Sequence, residues 1–437
     1  MTLIHVIRLY LSNHSNLLLM LLQLKMKNYR SYKNETVFSM EANSYAHKPD
    51  NVFEVGNDKK YSLLNNAIIY GANASGKSNV IRALFEIITF IKVKPKVNDR
   101  IRLYDPFLFD IEQKNLPCEF ELLFLDINAI KYHYKFSILE YRVVSEELNY
   151  YPKGKITKVF AREPFNEKNI VQKGILGDSF KNKEINVFAN QLILSKFGDD
   201  EPHELLSELF LYFKSYEVIN ATNTIHKDFY DKKVSADLYN NDNFKRKVEQ
   251  LIKAADTKIN AIDISYKEEE DHGFSIPKKT YQVYGIHDLY HNNKIIGEET
   301  LSFPNESTGT QTLYVLGGKI ISILESGGVL AIDELDTSLH PFITKMIVMI
   351  FQNKNLNPKN AQLIFTTHDV TLLDRDLIRR DQIWISEKDE KGVSDLYSLQ
   401  DFEGLREDTP FDKWYLAGKF GGLPKIESIE AIFTPHD

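Results

Sequence analysis

The sequence predicts an α/β fold: a mixed sheet with flanking antiparallel strands, interrupted by a helical insertion. Three observations support this prediction. An apolar run, a small-residue loop and a helical periodicity follow one another over residues 66–91. Apolar and polar residues alternate in aromatic-rich runs between residues 118 and 162, which is typical of antiparallel strands. Residues 163–258 then show helical periodicity, after which strands and helices alternate again.

Length and composition fit a globular chain with one large core. It has 437 residues, of which 43% are hydrophobic. We predict four parts: an extension (1–19), the N-terminal half of the core (20–162), the helical insertion (163–258) and the C-terminal half of the core (259–437). From residue 259 we expect a doubly wound α/β arrangement. Acidic residues outnumber basic ones by 61 to 54, which argues against a surface wholly devoted to nucleic acid. A single cysteine, Cys118, is typical of a reducing compartment, so we expect a cytoplasmic protein.

An apolar run at residues 17–22 raises the alternative of a signal sequence or a membrane anchor. The run is too short to span a bilayer, Arg8 and His14 interrupt the residues before it, and no small-residue cleavage site follows. We therefore expect a poorly ordered extension, a folded domain that begins near Met20, a first strand at residues 21–26, and no association with a membrane.

Residues 71–78 match a phosphate-binding loop in every specified position. The backbone N–H groups of such a loop point inward at phosphates, which demands small residues at its tight positions. Lys77 is expected to reach the β- and γ-phosphates of ATP and to contribute to catalysis, and the Ser78 hydroxyl to bind Mg²⁺. The residues predicted to bind ATP here are Gly71, Asn73, Ala74, Ser75, Gly76, Lys77, Ser78 and Asn79.

Residues 328–334 predict a buried strand that carries two carboxylates to its C-terminal end, where α/β sheets place their ligands. Asp333 is expected to hold magnesium through its water shell. Glu334 is expected to orient and polarise the attacking water, because in-line phosphoryl transfer needs a positioned nucleophile. Taken alone, an apolar run that ends in Asp-Glu is equally consistent with a strand meeting a solvated loop.

A further buried run, residues 361–367, ends at His368, while residues 335–341 directly follow the Asp-Glu pair. In this order the segments resemble the ABC-type ATPases of the SMC and overcoming-lysogenization-defect group, which carry a Walker B strand, a D-loop and a switch histidine. The resemblance covers about residues 20–162 and 259–437 and implies an ABC-type P-loop ATPase head. It also implies that Asp336 belongs to the D-loop and that His368 contacts the γ-phosphate and the attacking water. A lone histidine after a strand is more often structural.

Residues 304–311 are similar to the signature motif of the same family and precede a helical run at 312–324. By this resemblance, Ser307, Gly309, Thr310 and Gln311 bind the γ-phosphate of ATP held by the opposite subunit. The N-terminus of a helix suits an anion because its N–H groups are free and its dipole end is positive. The alternative is an ordinary N-cap, in which Ser307 or Thr308 caps the helix without any ligand.

Two other segments resemble the group. Arg30, in the turn at residues 28–32, corresponds to a loop that approaches the nucleotide and is a candidate contact to phosphate or adenine. Residues 415–424 are similar to the C-terminal ending of stand-alone bacterial members. The family's Q-loop glutamine has no clear counterpart, Gln113 being a weak candidate.

The resemblance implies a homodimer that closes head to tail around ATP and Mg²⁺ and reopens on hydrolysis, and it leaves open whether the dimer forms a higher oligomer. No second catalytic site follows the ATPase core, and no acidic cluster in the tail resembles a Toprim nuclease. The resemblance then implies the sensor of a bacterial anti-phage or abortive-infection system that controls a separately encoded nuclease or toxin.

Two alternatives stay open. The first is an SMC-like protein of DNA repair or structure, whose dimer clamps duplex and in which Lys245, Arg246 and Lys247 line the surface, although a run of charges is usually a solvated face. The second is the nucleotide-binding subunit of a transporter, which the long insertion and the C-terminal ending disfavour.

Overall fold

The computed structural model describes residues 19–56, 59–162, 171–172, 187–220, 224–255, 257–269, 278–406 and 408–424. Its strands are β1 Met20–Lys27, β2 Thr36–Ser39, β3 Val52–Val55, β4 Tyr61–Leu64, β5 Asn66–Tyr70, β6 Cys118–Leu125, β7 Lys131–Leu139, β8 Arg142–Tyr150, β9 Thr157–Arg162, β10 Val171–Gln172, β11 Glu217–Asn220, β12 Ala261–Glu269, β13 Lys278–His291, β14 Lys294–Ser302, β15 Val329–Asp333, β16 Gln362–Thr366, β17 Ile383–Lys388 and β18 Ser394–Ser398. The main helices are α1 Lys77–Lys92, α2 Glu204–Ser215, α3 Thr224–Asn240, α4 Asp242–Ala254, α5 Thr308–Ser326, α6 Pro341–Gln352 and α7 Phe411–Leu416.

The chain forms two compact units. The first ends at Lys214 and resumes at Thr366, and the second is Ser215–Phe365. These divisions differ from the boundaries expected from the sequence, which were placed at residues 162 and 258. Residues 1–18 lie outside the described part of the chain, so the expected disorder of the extension is not addressed.

The first unit contains a seven-stranded sheet in the order β10-β9-β8-β7-β6-β1-β2. Strands β6 to β9 pair with their neighbours antiparallel, as the alternating pattern predicts. In β7 buried and half-buried residues alternate along all nine positions, because successive side chains of a strand point to opposite faces. The antiparallel meander is therefore confirmed.

The same unit holds the strand, loop and helix that carry the phosphate loop. All five residues of β5 are buried, and β5 pairs parallel with β17, which pairs antiparallel with β18. Helix α1 begins directly after Gly76, the last glycine of the loop, and buries one apolar stripe, formed by Val80, Ile81, Leu84, Ile87, Ile88 and Ile91. The predicted strand–loop–helix unit is confirmed, and the packed stripe fixes the helix that begins at Lys77.

The second unit is built around β15, which is buried at all five positions and pairs in parallel with β11 and β16. Burial on both faces explains its continuous apolar sequence. Residues 204–254 contain the helices that their periodicity predicts, but they also contain β11, a four-residue strand that the sequence analysis missed. The mixed α/β class is thus confirmed in both units.

One expectation for the C-terminal half is wrong. The described residues between 261 and 302 do not alternate strands with helices; they form an antiparallel sheet of β12, β13 and β14. The alternating polar and apolar residues of Ala261–Glu269 already carry an antiparallel signal. Among the described residues, no helix combines the length and the apolar character needed to cross a membrane.

A buried lysine in the second unit makes the stability of the protein depend on pH. Lys319 of α5 is 2% exposed, and its Nζ lies 3.3 Å from a carboxylate oxygen of Glu217, which also pairs with Lys233 at 3.0 Å. Burial lowers the pKa of Lys319 to about 8, against 10.5 for the unburied group, and Glu217 only partly offsets this effect.

Because the folded pKa of Lys319 is depressed, the unfolded chain binds more protons between pH 8 and 10.5. The contribution of Lys319 to the free energy of unfolding should therefore rise across that range, by up to about 3 kcal/mol. We expect Lys319→Met to remove this rise, as measured by urea unfolding at pH 7.5 and pH 10. Equal pH dependence in the two proteins would show that the lysine is not held at a depressed pKa.

Candidate nucleotide-binding site

The phosphate loop connects the end of β5 to the start of α1. Gly71 has φ 149° and lies so close to the backbone of Ser386 that a Cβ would overlap the Ser386 carbonyl oxygen. Ala74 adopts the left-handed region at φ 63°. Since both conformations disfavour larger side chains, the small residues predicted for this loop are required by its geometry.

Inside the loop, the Lys77 side chain folds back over the backbone. Lys77 is buried, and its Nζ donates to the carbonyl oxygens of Gly71, at 2.8 Å, and Ala72, at 2.9 Å. The hydroxyl of Ser75 is buried without a hydrogen-bond partner among the described residues. The loop therefore encloses a cation and an unsatisfied hydroxyl, which suits an oxyanion better than an apolar ligand.

Residues from distant parts of the sequence hold the second half of the loop. The Ser75 carbonyl oxygen accepts from the hydroxyls of Ser386, at 3.1 Å, and Ser394, at 2.5 Å. Tyr32 is fully buried and donates to the Gly76 carbonyl oxygen at 3.2 Å. The sequence analysis did not predict these three contacts. The only sequence feature that could have indicated them is a serine or tyrosine hydroxyl within an otherwise buried strand or turn.

The turn at residues 28–32 does reach the phosphate loop. The Asn79 side-chain amide in the first turn of α1 donates to the Ser31 hydroxyl at 2.7 Å. Arg30 sits at φ 52°, and its guanidinium lies 3.0 Å from the Asp105 carboxylate. The neighbouring Ser31 therefore bonds to the Asn79 side chain, whereas the Arg30 guanidinium pairs with Asp105.

His368 is exposed and lies next to the strand that leads into the loop. On one side of it, the Thr367 N–H donates to the Ile69 carbonyl oxygen at 3.3 Å. On the other side, the Tyr70 hydroxyl donates to the Asp369 carbonyl oxygen at 3.0 Å. These two bonds fix the backbone of the predicted switch histidine beside the last two residues of β5.

In the second unit, the two predicted carboxylates lie at the C-terminal end of β15. Asp333 is 5% exposed, and Glu334 adopts φ 54°, a conformation that is costly for a residue with a side chain. One Glu334 carboxylate oxygen accepts from the Thr337 hydroxyl at 3.3 Å, and the Thr337 N–H donates to the Glu334 carbonyl oxygen. A strained backbone that turns a carboxylate out of a buried strand is typical of functional sites.

The signature segment forms the start of α5 in the same unit. Ser307 caps the helix, because its hydroxyl accepts from the Thr310 N–H at 3.1 Å, while the Gln311 side-chain amide donates to the carbonyl oxygens of Pro304 and Glu306. A Cβ at Gly309 would lie 2.8 Å from the Ser338 carbonyl oxygen in the turn that contains Asp336. Ser307 is thus an N-cap, and the predicted signature and D-loop segments are in contact within this unit.

Two negative findings limit the site. Within the described ranges, no three His, Cys, Asp or Glu side chains are grouped closely enough to hold a metal ion by themselves. Gln113 lies in a short 3-10 turn, where its carbonyl oxygen accepts from the Asn28 side chain. This contact gives Gln113 no tie to the phosphate loop.

The chain is similar to solved structures and to one protein family. No curated protein matches the chain. Among solved structures, the chain is similar to the "SMC head domain from Thermotoga maritima", with 15% identity, 86% of this chain and 98% of that chain covered, and a TM-score of 0.38. It is also similar to the "Crystal structure of the SmcHead bound to the C-winged helix domain of ScpA", with 15% identity, coverages of 86% and 97%, and a TM-score of 0.37.

A family profile matches residues 67–374, which is more than half of the chain and includes the phosphate loop, the signature segment, the Asp-Glu strand and His368. The chain therefore belongs to the family described as "AAA domain, putative AbiEii toxin, Type IV TA system".

Proposed function

We propose that this protein binds ATP with Mg²⁺ and hydrolyses it as a head-to-tail homodimer, and that the dimer is a switch in a bacterial anti-phage system with a separate effector. The observation that carries the ATPase proposal is the phosphate loop. Its backbone encloses the Lys77 ammonium and the unsatisfied Ser75 hydroxyl between Gly71 and the start of α1. Phosphate oxygens would take the place of the carbonyls to which Lys77 now donates.

Ser78 and Asp333 are the residues proposed to hold Mg²⁺. Ser78 is exposed at the first turn of α1, and Asp333 is buried at the end of β15. The absence of a three-residue metal cluster among the described residues fits this ion, since Mg²⁺ is usually held by one or two protein oxygens together with phosphates and water. When bound, it would neutralise charge that develops on the phosphates.

The catalytic roles proposed for Glu334 and His368 rest on their positions. The left-handed backbone of Glu334 directs a carboxylate away from the buried strand, where it would orient the attacking water. His368 is exposed beside the strand that leads into the loop, and we assign it a contact to the γ-phosphate and that water. Asp336 would act from the D-loop turn.

The dimer proposal rests on the signature segment. Ser307 is exposed at the start of a 19-residue helix, and the N–H groups and dipole of such a terminus favour an anion. We assign Ser307, Gly309, Thr310 and Gln311 to the γ-phosphate held by the partner subunit. ATP would then favour the closed dimer because both subunits contact it only in that state.

The defence role is supported by the description of the family, which names a toxin of a type IV TA system and therefore a setting with a second component. Co-expression with the product of the neighbouring gene tests this part of the proposal. A nuclease or toxin whose activity changes when ATP is bound or hydrolysed would support the defence role. An effector whose activity does not change with ATP would contradict it.

The DNA-binding alternative has less support from the surface expected to carry it. On α4, Lys247 forms an ion pair with Glu325, and the Arg246 side chain donates to the Asp242 carbonyl oxygen. Affinity for duplex DNA that falls steeply with added salt would nevertheless favour this alternative.

Glu334→Gln tests the proposed hydrolysis. The substitution keeps the size of the side chain but removes the charge that polarises water, so ATP affinity should stay within about twofold while turnover falls about 100-fold. Measured ATP binding and phosphate release separate the two effects. Thr337→Val is the matched control, because it removes only the hydroxyl that donates to Glu334. Normal turnover in Glu334→Gln would exclude Glu334 from the reaction.

A further inference from the structure

The C-terminal segment, defined here as residues 411–424, packs against the phosphate loop. It consists of α7 and a tight turn in which Gly418, Gly421 and Gly422 all have φ near 70°. Phe420 is 1% exposed and contacts the rings of Trp414 and Phe402. The buried side chains Phe411, Tyr415 and Phe420 anchor the segment within the first unit.

Tyr415 is the side chain by which this segment reaches the loop. Its ring lies 5.5 Å from that of Tyr70, the last residue before the loop. Its hydroxyl donates to the Gly422 carbonyl oxygen at 3.3 Å. Burial raises the pKa of Tyr415, an effect that the nearby Gly71 N–H only partly offsets, so the hydroxyl keeps its proton and can donate to Gly422.

A second contact approaches the same loop residue. A Cβ on Gly422 would lie 2.7 Å from a methyl group of Ile385 and 3.4 Å from the Gly71 Cα. Any larger residue at 422 would therefore push the segment away from the loop, and it would also be strained at φ 68°. Gly422, which Tyr415 holds through its carbonyl oxygen, thus packs directly against Gly71.

We propose that Tyr415 is a positioning residue for the phosphate loop, and that the C-terminal segment sets the affinity of this loop for the phosphates of ATP by fixing the backbone at Gly71. The inference rests on the proposed ATP-binding function and deepens it, since no role in binding was assigned to the C-terminal segment.

The physical reason is preorganisation. Glycine populates more backbone conformations than any other residue, so an unrestrained Gly71 would have to be ordered each time a nucleotide binds. The Tyr415 hydroxyl holds Gly422 against Gly71 before ATP arrives, which reduces the entropy lost on binding. The effect should appear in ground-state affinity and not in the chemical step, because Tyr415 has no contact with the attacking water or with Glu334 in this scheme.

Tyr415→Phe tests the inference, because it keeps the ring beside Tyr70 and removes only the hydroxyl. Loss of one hydrogen bond should raise the Kd and the KM for ATP about threefold to tenfold, with kcat at saturating ATP within twofold of the unmodified protein. Gly422→Ala should change affinity in the same direction. The full-length protein is used throughout, with ATP affinity from isothermal titration and KM and kcat from phosphate release.

The matched control is Tyr397→Phe. The Tyr397 hydroxyl lies 2.9 Å from the Phe420 carbonyl oxygen, so it holds the same segment without touching the loop. We expect this variant to lower the melting temperature without raising the KM for ATP. Unchanged affinity in Tyr415→Phe would overturn the inference, and so would equal increases in both tyrosine variants, which would indicate general loosening of the segment. An unmodified protein that binds no ATP would instead refute the proposed function, and this inference with it.

Discussion

Lys77→Ala is expected to weaken ATP binding about 100-fold or more and to abolish measurable hydrolysis. The substitution removes the buried ammonium of the phosphate loop, whose Nζ donates to the carbonyls of Gly71 and Ala72 when no nucleotide is present. With ATP bound, the same ammonium would meet phosphate oxygens, and a charge-assisted bond of this kind is worth about 3 kcal/mol, which corresponds to the expected loss. Isothermal titration with ATP measures the affinity directly.

Arg82→Ala is the matched control, because it also removes one positive charge from α1. The Arg82 side chain is 55% exposed and only weakly paired with Glu86, at 4.0 Å. Its loss should leave ATP affinity within twofold, whereas a general electrostatic effect would weaken both variants alike. Full affinity in Lys77→Ala would mean that the loop is a structural turn and that the ATPase proposal is wrong.

Much of the first unit was readable from local sequence because its signals are local. The loop at residues 71–78 lies between a strand and a helix whose patterns are strong, and β7 alternates without interruption. Short strands give weaker signals. Glu217–Asn220 has only four residues and becomes a strand by pairing with Leu330–Asp333, more than 100 positions away, so no local pattern could predict it.

The candidate site shows the same limit. Lys77, Asp333 and Glu334 belong to motifs that can be recognised within a few residues. Two of the groups that hold the loop in place, the hydroxyls of Ser386 and Ser394, come from segments more than 300 residues further along the chain. Their residue types are ordinary, and only the folded backbone shows that they meet one loop. Sequence alone predicts the groups proposed to touch the nucleotide better than the groups that position them.

Ser307→Arg is expected to abolish ATP-dependent dimerisation and hydrolysis while ATP binding to the monomer stays nearly normal. Ser307 is exposed at the start of α5, so a long charged side chain there should obstruct a partner subunit more than the fold. Loss of the N-cap bond to Thr310 costs about 1 kcal/mol of stability, and Ser307→Ala isolates that cost. Ser326→Arg, at the other end of the same helix, controls for the added charge. Mass measured with ATP in a Glu334→Gln background, where hydrolysis is slow, would report the dimer.

The composite site makes a sharper prediction, because each site would combine the phosphate loop of one subunit with the signature of the other. A heterodimer of Ser307→Arg and Lys77→Ala subunits pairs one intact loop with one intact signature. Mixing the two inactive proteins should therefore restore part of the hydrolysis, up to about half per dimer, whereas neither variant alone can regain it. Recovery without heterodimers, or a Ser307→Arg protein that still dimerises with ATP, would leave Ser307 as the cap of α5 and remove the signature segment from the nucleotide site.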